Sequence, residues 1–295
     1  MPRIVSFLPA GTEMVYALGA GAELVGRSHE CDYPAFVLDL PVVSRPALDL
    51  DNASPAAIDS AVTQQLADGA TLYTIDEKLL RSLEPEVILT QNLCRVCAPS
   101  GDELTRAVRK FDVMPEVLFL TPRTIGEISD NVRTVGDAIG RAGNARAIIA
   151  DSESRLQRVK DAVRSGRKRR VVFLEWINPF FSAGHWVPEM ISIAGGEDPL
   201  GRAGEDSVRI EWDDVVAAEP EAIVVSPCGY RLDRAAELAR ELPIIEGVEV
   251  YAVDANAYFA RPGPRVAEGV ELLAHLLHPD LVRWTMPDPA WERIR

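Results

Sequence analysis

Cys94 and Cys97 form a Cys-x-x-Cys pair, a spacing that lets two thiolates reach one soft metal ion. Cys31, Cys228, His29 and His185 could complete a tetrahedral set around it. Cys31, Cys94, Cys97 and Cys228 together would suit zinc or an iron-sulfur cluster, structural or catalytic. A catalytic site would also need an acid or base such as Glu30, Asp32 or Glu175, residues that serve equally well as loop caps. The same cysteines suit a redox dithiol, a ligand to the metal of a bound macrocycle, or unliganded thiols, and spacing alone leaves these open. A second group is aromatic. Trp176, Phe180, Phe181, Trp186, Tyr230, Tyr258 and Phe259 fall in three short runs, where rings left in water are costly. They point to a large, flat or apolar small-molecule ligand, with capping of the sheet ends as the alternative. Arg261 could bind a carboxylate, amide or phosphate of that ligand as a fork donor, or tie down its own loop. His275 and His278 fall on or after the last amphipathic stretch, Arg265 to Leu277, and read as helix-end residues. The chain has no Gly-x-Gly-x-x-Gly, phosphate loop or Gly-x-Ser-x-Gly elbow, which removes the commonest nucleotide and hydrolase readings.

These residues need elements to carry them. Short β-rich runs such as Arg3-Ile-Val-Ser-Phe-Leu8 and Arg170-Val-Val-Phe-Leu174 alternate with helical periodicity, the pattern of a mainly parallel sheet. Two echoes occur in the same order in both halves. Glu13-Met-Val-Tyr-Ala-Leu-Gly19 is repeated near Pro188-Glu-Met-Ile-Ser-Ile-Ala-Gly-Gly196, and Glu84-Pro-Glu-Val-Ile-Leu89 by Glu219-Pro-Glu-Ala-Ile-Val224. The spacing implies an insertion in the first half between Pro34 and Tyr73. Between the halves, Asn144 to Gly166 reads as one long helix, capped by Asn144, closed by Gly166, and apolar at Ile148, Ile149, Leu156, Val159 and Val163. The fold class is therefore α/β, two lobes with mainly parallel central sheets joined by one long α-helix. Residues 1–125 form the first lobe, 126–168 the connecting helices with the strut at 144–166, and 169–295 the second lobe with its tail. Ligands of such sheets sit beyond the carboxyl ends of the strands, which is where all four cysteines and most of these aromatics fall.

The 295 residues carry a net charge of −14, which argues against nucleic acid and anionic membranes as partners. Arg167 to Arg170 is a local basic patch and reads as a solvated helix end. No apolar run approaches membrane-spanning length, so membrane insertion is not expected. The first residues enter a strand with no leader pattern, so a cytoplasmic location is expected, where cysteines are thiols or ligands rather than disulfides.

The run Arg3 to Gly19, with Leu24-Val-Gly-Arg27 and Cys31-Asp-Tyr-Pro34 after it, resembles the opening of cobalamin-binding proteins of ABC importers. Pro85-Glu-Val-Ile-Leu89, Ala194-Gly-Gly196 and Pro220-Glu-Ala-Ile-Val224 extend the resemblance over nearly the whole chain. It implies the class of iron-chelate, haem and cobalamin receptors whose two lobes are joined by a rigid helix. The implied function is non-enzymatic binding of cobalamin or a related tetrapyrrole between the lobes, with small closure. In that class an acidic residue of each lobe, seven residues before the Pro of the Pro-Asp-like motif, docks on permease arginines. Asp213 fits, whereas Lys78 departs from the acidic docking position despite the adjacent Asp76 and Glu77, which speaks against docking to an ABC permease.

Overall fold

The computed structural model describes residues 1–50, 53–68, 70–91, 104, 107–109, 111–286 and 289–295. They fall into two compact units, Met1–Pro122 with Glu127–Ile149, and Arg123–Gly126 with Ala150–Arg295. Among the described residues, the first unit holds β1 (Ile4–Ser6), β2 (Leu24–Ser28), β3 (Val42–Pro46), β4 (Tyr73–Ile75), β5 (Val87–Thr90) and β6 (Glu116–Phe119) in one sheet of order β4-β3-β2-β1-β5-β6. Every pairing is parallel except that of β3 with β4. Helices α1 (Pro9–Ala17), α2 (Pro55–Ala67), α3 (Glu77–Ser82) and α4 (Ile125–Ala138) accompany it. The apolar strand runs are continuous because both faces of the sheet are covered. Ile4, Val87 and Leu89 join a cluster with Met14, Leu18 and Val135, while their neighbours Val5 and Ile88 join another with Phe7, Leu80 and Val108.

Helix α5 (Ala142–Val163) continues from one unit into the other. It starts two residues before Asn144, because the Asn144 amide donates instead to the Leu18 carbonyl (2.8 Å) at the end of α1. Ile149 packs in the first unit's core, and Leu156, Val159 and Val163 are buried further along. The second unit holds β7 (Arg169–Trp176), β8 (Phe180–Ser182), β9 (Gly196–Glu197), β10 (Arg209–Ile210), β11 (Ala222–Val225), β12 (Glu249–Val253) and β13 (Trp291–Arg293). Their order is β10-β8-β7-β11-β12-β13, with β9 on β7; β7, β11 and β12 are parallel, and the flanking β8, β10 and β13 are antiparallel. Helices α6 (Val187–Ile193), α7 (Trp212–Ala217), α8 (Leu232–Arg240), α9 (Ala255–Tyr258) and α10 (Val266–Leu277) complete it. Among the described residues no helix is long and apolar enough to cross a membrane.

The sequence echoes become the same local structure twice. Gly19 and Gly195 end α1 and α6 at φ 76° and 83°, a left-handed conformation that favours glycine. Glu84 and Glu219 both sit at φ 43° after α3 and α7. The carboxylate of Glu86 accepts the Arg3 amide (2.9 Å) as that of Glu221 accepts the Arg170 amide (3.0 Å), which pins β5 to β1 and β11 to β7.

Arg167, Arg169 and Arg170 are not a bare solvated patch. They pair with Glu221, Glu249 and Glu219, so the charges are matched at the start of the central strands. In α5, Arg155 pairs with Glu271 (2.6 Å) and Glu268 (3.3 Å) of α10. Those carboxylates are mostly shielded, so removing the cation leaves them uncompensated. Arg155→Met should lower unfolding free energy by about 1–3 kcal/mol, less than the loss from a fully buried pair; urea unfolding would show it, and no change would mean that the pair contributes nothing.

Candidate functional site

In the second unit the carboxyl ends of β7 and β11 carry two aromatic rings in one stack. Trp176 ends β7, and Tyr230 follows β11 through Ser226-Pro-Cys-Gly229, where Gly229 at φ 87° lets the chain turn. The rings lie 5.5 Å apart at an interplanar angle of 15°. Two buried polar atoms at the same strand ends, the Trp176 indole nitrogen and the Ser226 hydroxyl, have no hydrogen-bond partner among the described residues. Buried polar groups are normally paired, so this arrangement suits an acceptor from outside the chain. Burial pushes the Tyr230 hydroxyl above its usual pKa, against the pull of Arg234.

One residue before Trp176, Glu175 joins three segments. Its carboxylate accepts the Gly184 amide (2.9 Å) and the Ser207 hydroxyl, while its carbonyl accepts the Cys228 amide (3.0 Å). Gly184 is required here because an added Cβ would lie 2.4 Å from the Ser207 amide nitrogen. Burial raises the Glu175 pKa to about 7, opposed by both hydrogen bonds and reinforced by the Asp198 carboxylate. Asp198 accepts the Leu200 (2.9 Å), Gly201 (3.1 Å) and Phe173 (3.3 Å) amides, yet burial holds it at about 6. His185, at φ 52°, faces Asp206 (3.1 Å), which in turn pairs with Arg123 (2.9 Å). Its pKa is lowered by burial, with Asp206 opposing.

The other aromatics named from the sequence are placed differently. Trp186 is buried and its indole N–H donates to the Phe259 carbonyl (2.9 Å). Phe259 is buried against Phe173, and Tyr258 against Trp284. Phe180 packs on Trp212 beside the second unit's core, and Phe181 lies across from Trp176 in the β7–β8 pairing. Arg261 is buried with its charge near Asp254. His275 and His278 lie at the end of α10 and bond the Val282 and Gly195 carbonyls.

In the first unit, the segment after β2 presents Tyr33, Phe36 and Leu38 to solvent while Cys31 and Val37 are fully buried. Phe36 packs edge-on against Tyr16, with ring centroids 4.4 Å apart. The signal of the three exposed residues is the apolar run Tyr33 to Leu38, in a stretch too short for an amphipathic helix face. His29 bonds the Ser44 carbonyl (3.1 Å) and faces Glu30 (3.1 Å).

Two of the four cysteines of the expected metal cluster fall among the described residues. Cys31 is buried with the Thr12 hydroxyl donating to its sulfur (3.0 Å), and Cys228 is exposed at a loop tip. Cys94 and Cys97 lie outside the described residues. Among the described residues no three His, Cys, Asp or Glu side chains converge to hold a metal ion, so zinc or an iron-sulfur cluster finds no donor set there. Cysteine spacing could not reveal the burial of Cys31, because the core around Thr12 decides where its sulfur points. Lys78 is exposed on α3 behind Asp76 and Glu77, and Asp213 is exposed on α7 beside Asp214.

A vitamin B12-binding protein of Vibrio cholerae is 23% identical over 274 residues, covering 91% of this chain and 86% of its own. The crystal structure of the periplasmic vitamin B12 binding protein of Vibrio cholerae matches with a TM-score of 0.66 at 22% identity, over 94% of this chain and 96% of that one. A periplasmic heme binding protein from Pseudomonas aeruginosa matches with a TM-score of 0.71 at 19% identity, over 99% and 98%. At such identities the likeness establishes the fold. The periplasmic setting of these relatives overturns the cytoplasmic expectation. That expectation rested on the chain opening directly into β1, which describes how residues enter a sheet and carries no address. The profile of the periplasmic binding protein family spans residues 4–249, and the chain belongs to that family.

Proposed function

We propose that this protein is an extracytoplasmic, non-enzymatic binding protein for a corrinoid or another tetrapyrrole, with Trp176 and Tyr230 as principal contacts. The observation that carries the reading is the parallel Trp176–Tyr230 pair beside two buried polar atoms with no partner among the described residues, at the strand ends where ligands of α/β sheets bind. A broad flat ligand is the natural match for stacked rings. The relatives named for vitamin B12 and for heme support this class, since both ligands are metal-bearing macrocycles. Phe181, paired with Trp176 across β7 and β8, adds apolar surface of the kind such a ligand needs. Cys228 and His185 are candidate ligands to the macrocycle's metal.

Titration with cyanocobalamin, hydroxocobalamin and hemin, followed by absorption and calorimetry, tests it. One ligand should bind saturably. Trp176→Ala should weaken that binding by roughly tenfold or more, as expected of one lost aromatic contact worth about 1–3 kcal/mol. A metal-centred spectral shift with hydroxocobalamin that disappears in Cys228→Ser or His185→Ala would identify the axial ligand. Wild-type protein that binds none of the three compounds would sink the proposal.

A further inference from the structure

Asn256 is the second residue of α9, a single helical turn at the end of β12, and it reaches back to the turn that carries Tyr230. Its side-chain amide donates to the Gly229 carbonyl (3.1 Å), 27 positions away, and its backbone amide to the Tyr230 carbonyl (3.4 Å). Two consecutive carbonyls of the turn are therefore held by one residue.

The first half of the turn is fixed without it. The Ser226 and Cys228 amides donate to the Leu174 and Glu175 carbonyls (both 3.0 Å), and the Tyr230 amide closes back on the Pro227 carbonyl (3.1 Å). The Gly229–Tyr230 peptide is thus gripped on both sides, its N–H by Pro227 and its C=O by the Asn256 side chain. Gly229 needs that grip. At φ 87° it rotates at little steric cost, and among the described residues nothing lies within 4 Å of the place a Cβ would take. Packing against the second unit's core draws the Tyr230 ring inward, but apolar burial is non-directional. A ring held at 15° to Trp176 calls for directional bonds on the backbone that carries it.

Asn256 can serve as a bracket because α9 is itself anchored. The Asp254 carboxylate caps it through the Ala257 amide (2.8 Å), and the Asp254 amide donates to the Ala290 carbonyl (2.9 Å). Tyr258 and Phe259, at the other end, are buried.

We infer that Asn256 is a positioning residue that sets the Tyr230 ring parallel to Trp176 by fixing the Gly229–Tyr230 peptide, and that it acts on the ligand through Tyr230 alone. This rests on the ring pair being the ligand platform, as proposed above.

The test titrates wild type, Asn256→Ala, Asn256→Asp, Tyr230→Ala and the two double variants with whichever of cyanocobalamin, hydroxocobalamin and hemin the wild type binds. Asn256→Ala removes the donor, and Asn256→Asp, nearly the same in shape, turns an acceptor toward the Gly229 carbonyl. Each should weaken binding by about three- to tenfold, the worth of one neutral hydrogen bond. Neither should weaken it further once Tyr230 is replaced by alanine. The near-ultraviolet circular dichroism of the ligand-free single variants should move toward that of Tyr230→Ala, because coupling between two rings depends on their angle. Losses that persist in the Tyr230→Ala background would mean that Asn256 touches the ligand or only supports the fold, and would overturn the inference. Wild-type affinity in both single variants would overturn it too. If Asn256→Asp does not fold, Asn256→Ala, which leaves the backbone bond to Tyr230 in place, carries the comparison alone. Wild-type protein that binds none of the three compounds removes the binding function and this role with it. Binding that Tyr230→Ala weakens and the Asn256 variants do not removes this role alone.

Discussion

Between about pH 5.5 and 8.5 the second unit is expected to lose roughly 2–3 kcal/mol of unfolding free energy, and Glu175→Gln is expected to remove most of that slope. The cause is the raised Glu175 pKa, from 4.5 to about 7, set by burial of its carboxylate. A raised folded pKa means that the native state holds the proton more tightly than the unfolded chain. The resulting stability is complete below the unfolded value of 4.5 and is lost as pH rises through about 7. A shift of this size corresponds to about 3 kcal/mol at most, and partial access of the residue to water brings the expectation slightly lower. Asp198, raised from 3.8 to about 6, acts in the same direction over the lower part of the window. His185 acts against both, because its lowered pKa adds stability as pH rises. Glu221 and Glu249, whose pKa values are lowered, remain ionised throughout. Comparing wild type with Glu175→Gln by urea unfolding therefore isolates one proton. Glutamine can still accept the Gly184 amide and meet the Ser207 hydroxyl, so the junction persists without the charge. Equal slopes in the two proteins would show that Glu175 is not the group responsible.

Gly184→Ala should be the most damaging small change in the second unit. The added methyl would lie 2.4 Å from the Ser207 amide nitrogen, 2.8 Å from its hydroxyl and 2.9 Å from the Asp206 carbonyl carbon. Two of those three atoms are main chain and cannot rotate away. Relief requires moving the 206–207 backbone off Glu175, so about 3 kcal/mol or more is expected, the upper end for overpacking. Ligand affinity should fall with it, since Trp176 is the next residue after Glu175. Gly143→Ala in the first turn of α5 is the matched control: nothing lies within 4 Å of its added methyl, and the change should be neutral or stabilise by up to about 0.5 kcal/mol, less than in a helix interior. Thermal and urea unfolding of both variants would check the contrast, and a Gly184→Ala protein as stable as wild type would refute the steric argument.

The repeated fold was legible because its signals are local. Apolar runs, helix ends at Gly19 and Gly195, and the Glu-Pro-Glu turns are written in residues within a few positions of one another, and each enforces its own backbone geometry. The regions beyond the strand ends could be read for the same reason. Which side chains remain available there could not, because burial depends on partners far along the chain. Trp176 and Trp186 look alike in sequence, yet one stacks on Tyr230 with its nitrogen unpaired among the described residues while the other donates its N–H to the Phe259 carbonyl, 73 residues away. The sequence by itself thus determined the strands, the helices, their duplication and the family. Only the tertiary structure decided that Cys31 is buried beside Thr12, that the buried Arg27 donates to the Ser28, Cys31 and Leu38 carbonyls, and that burial raises the Glu175 pKa, since enclosure and charge are properties of the assembled neighbourhood.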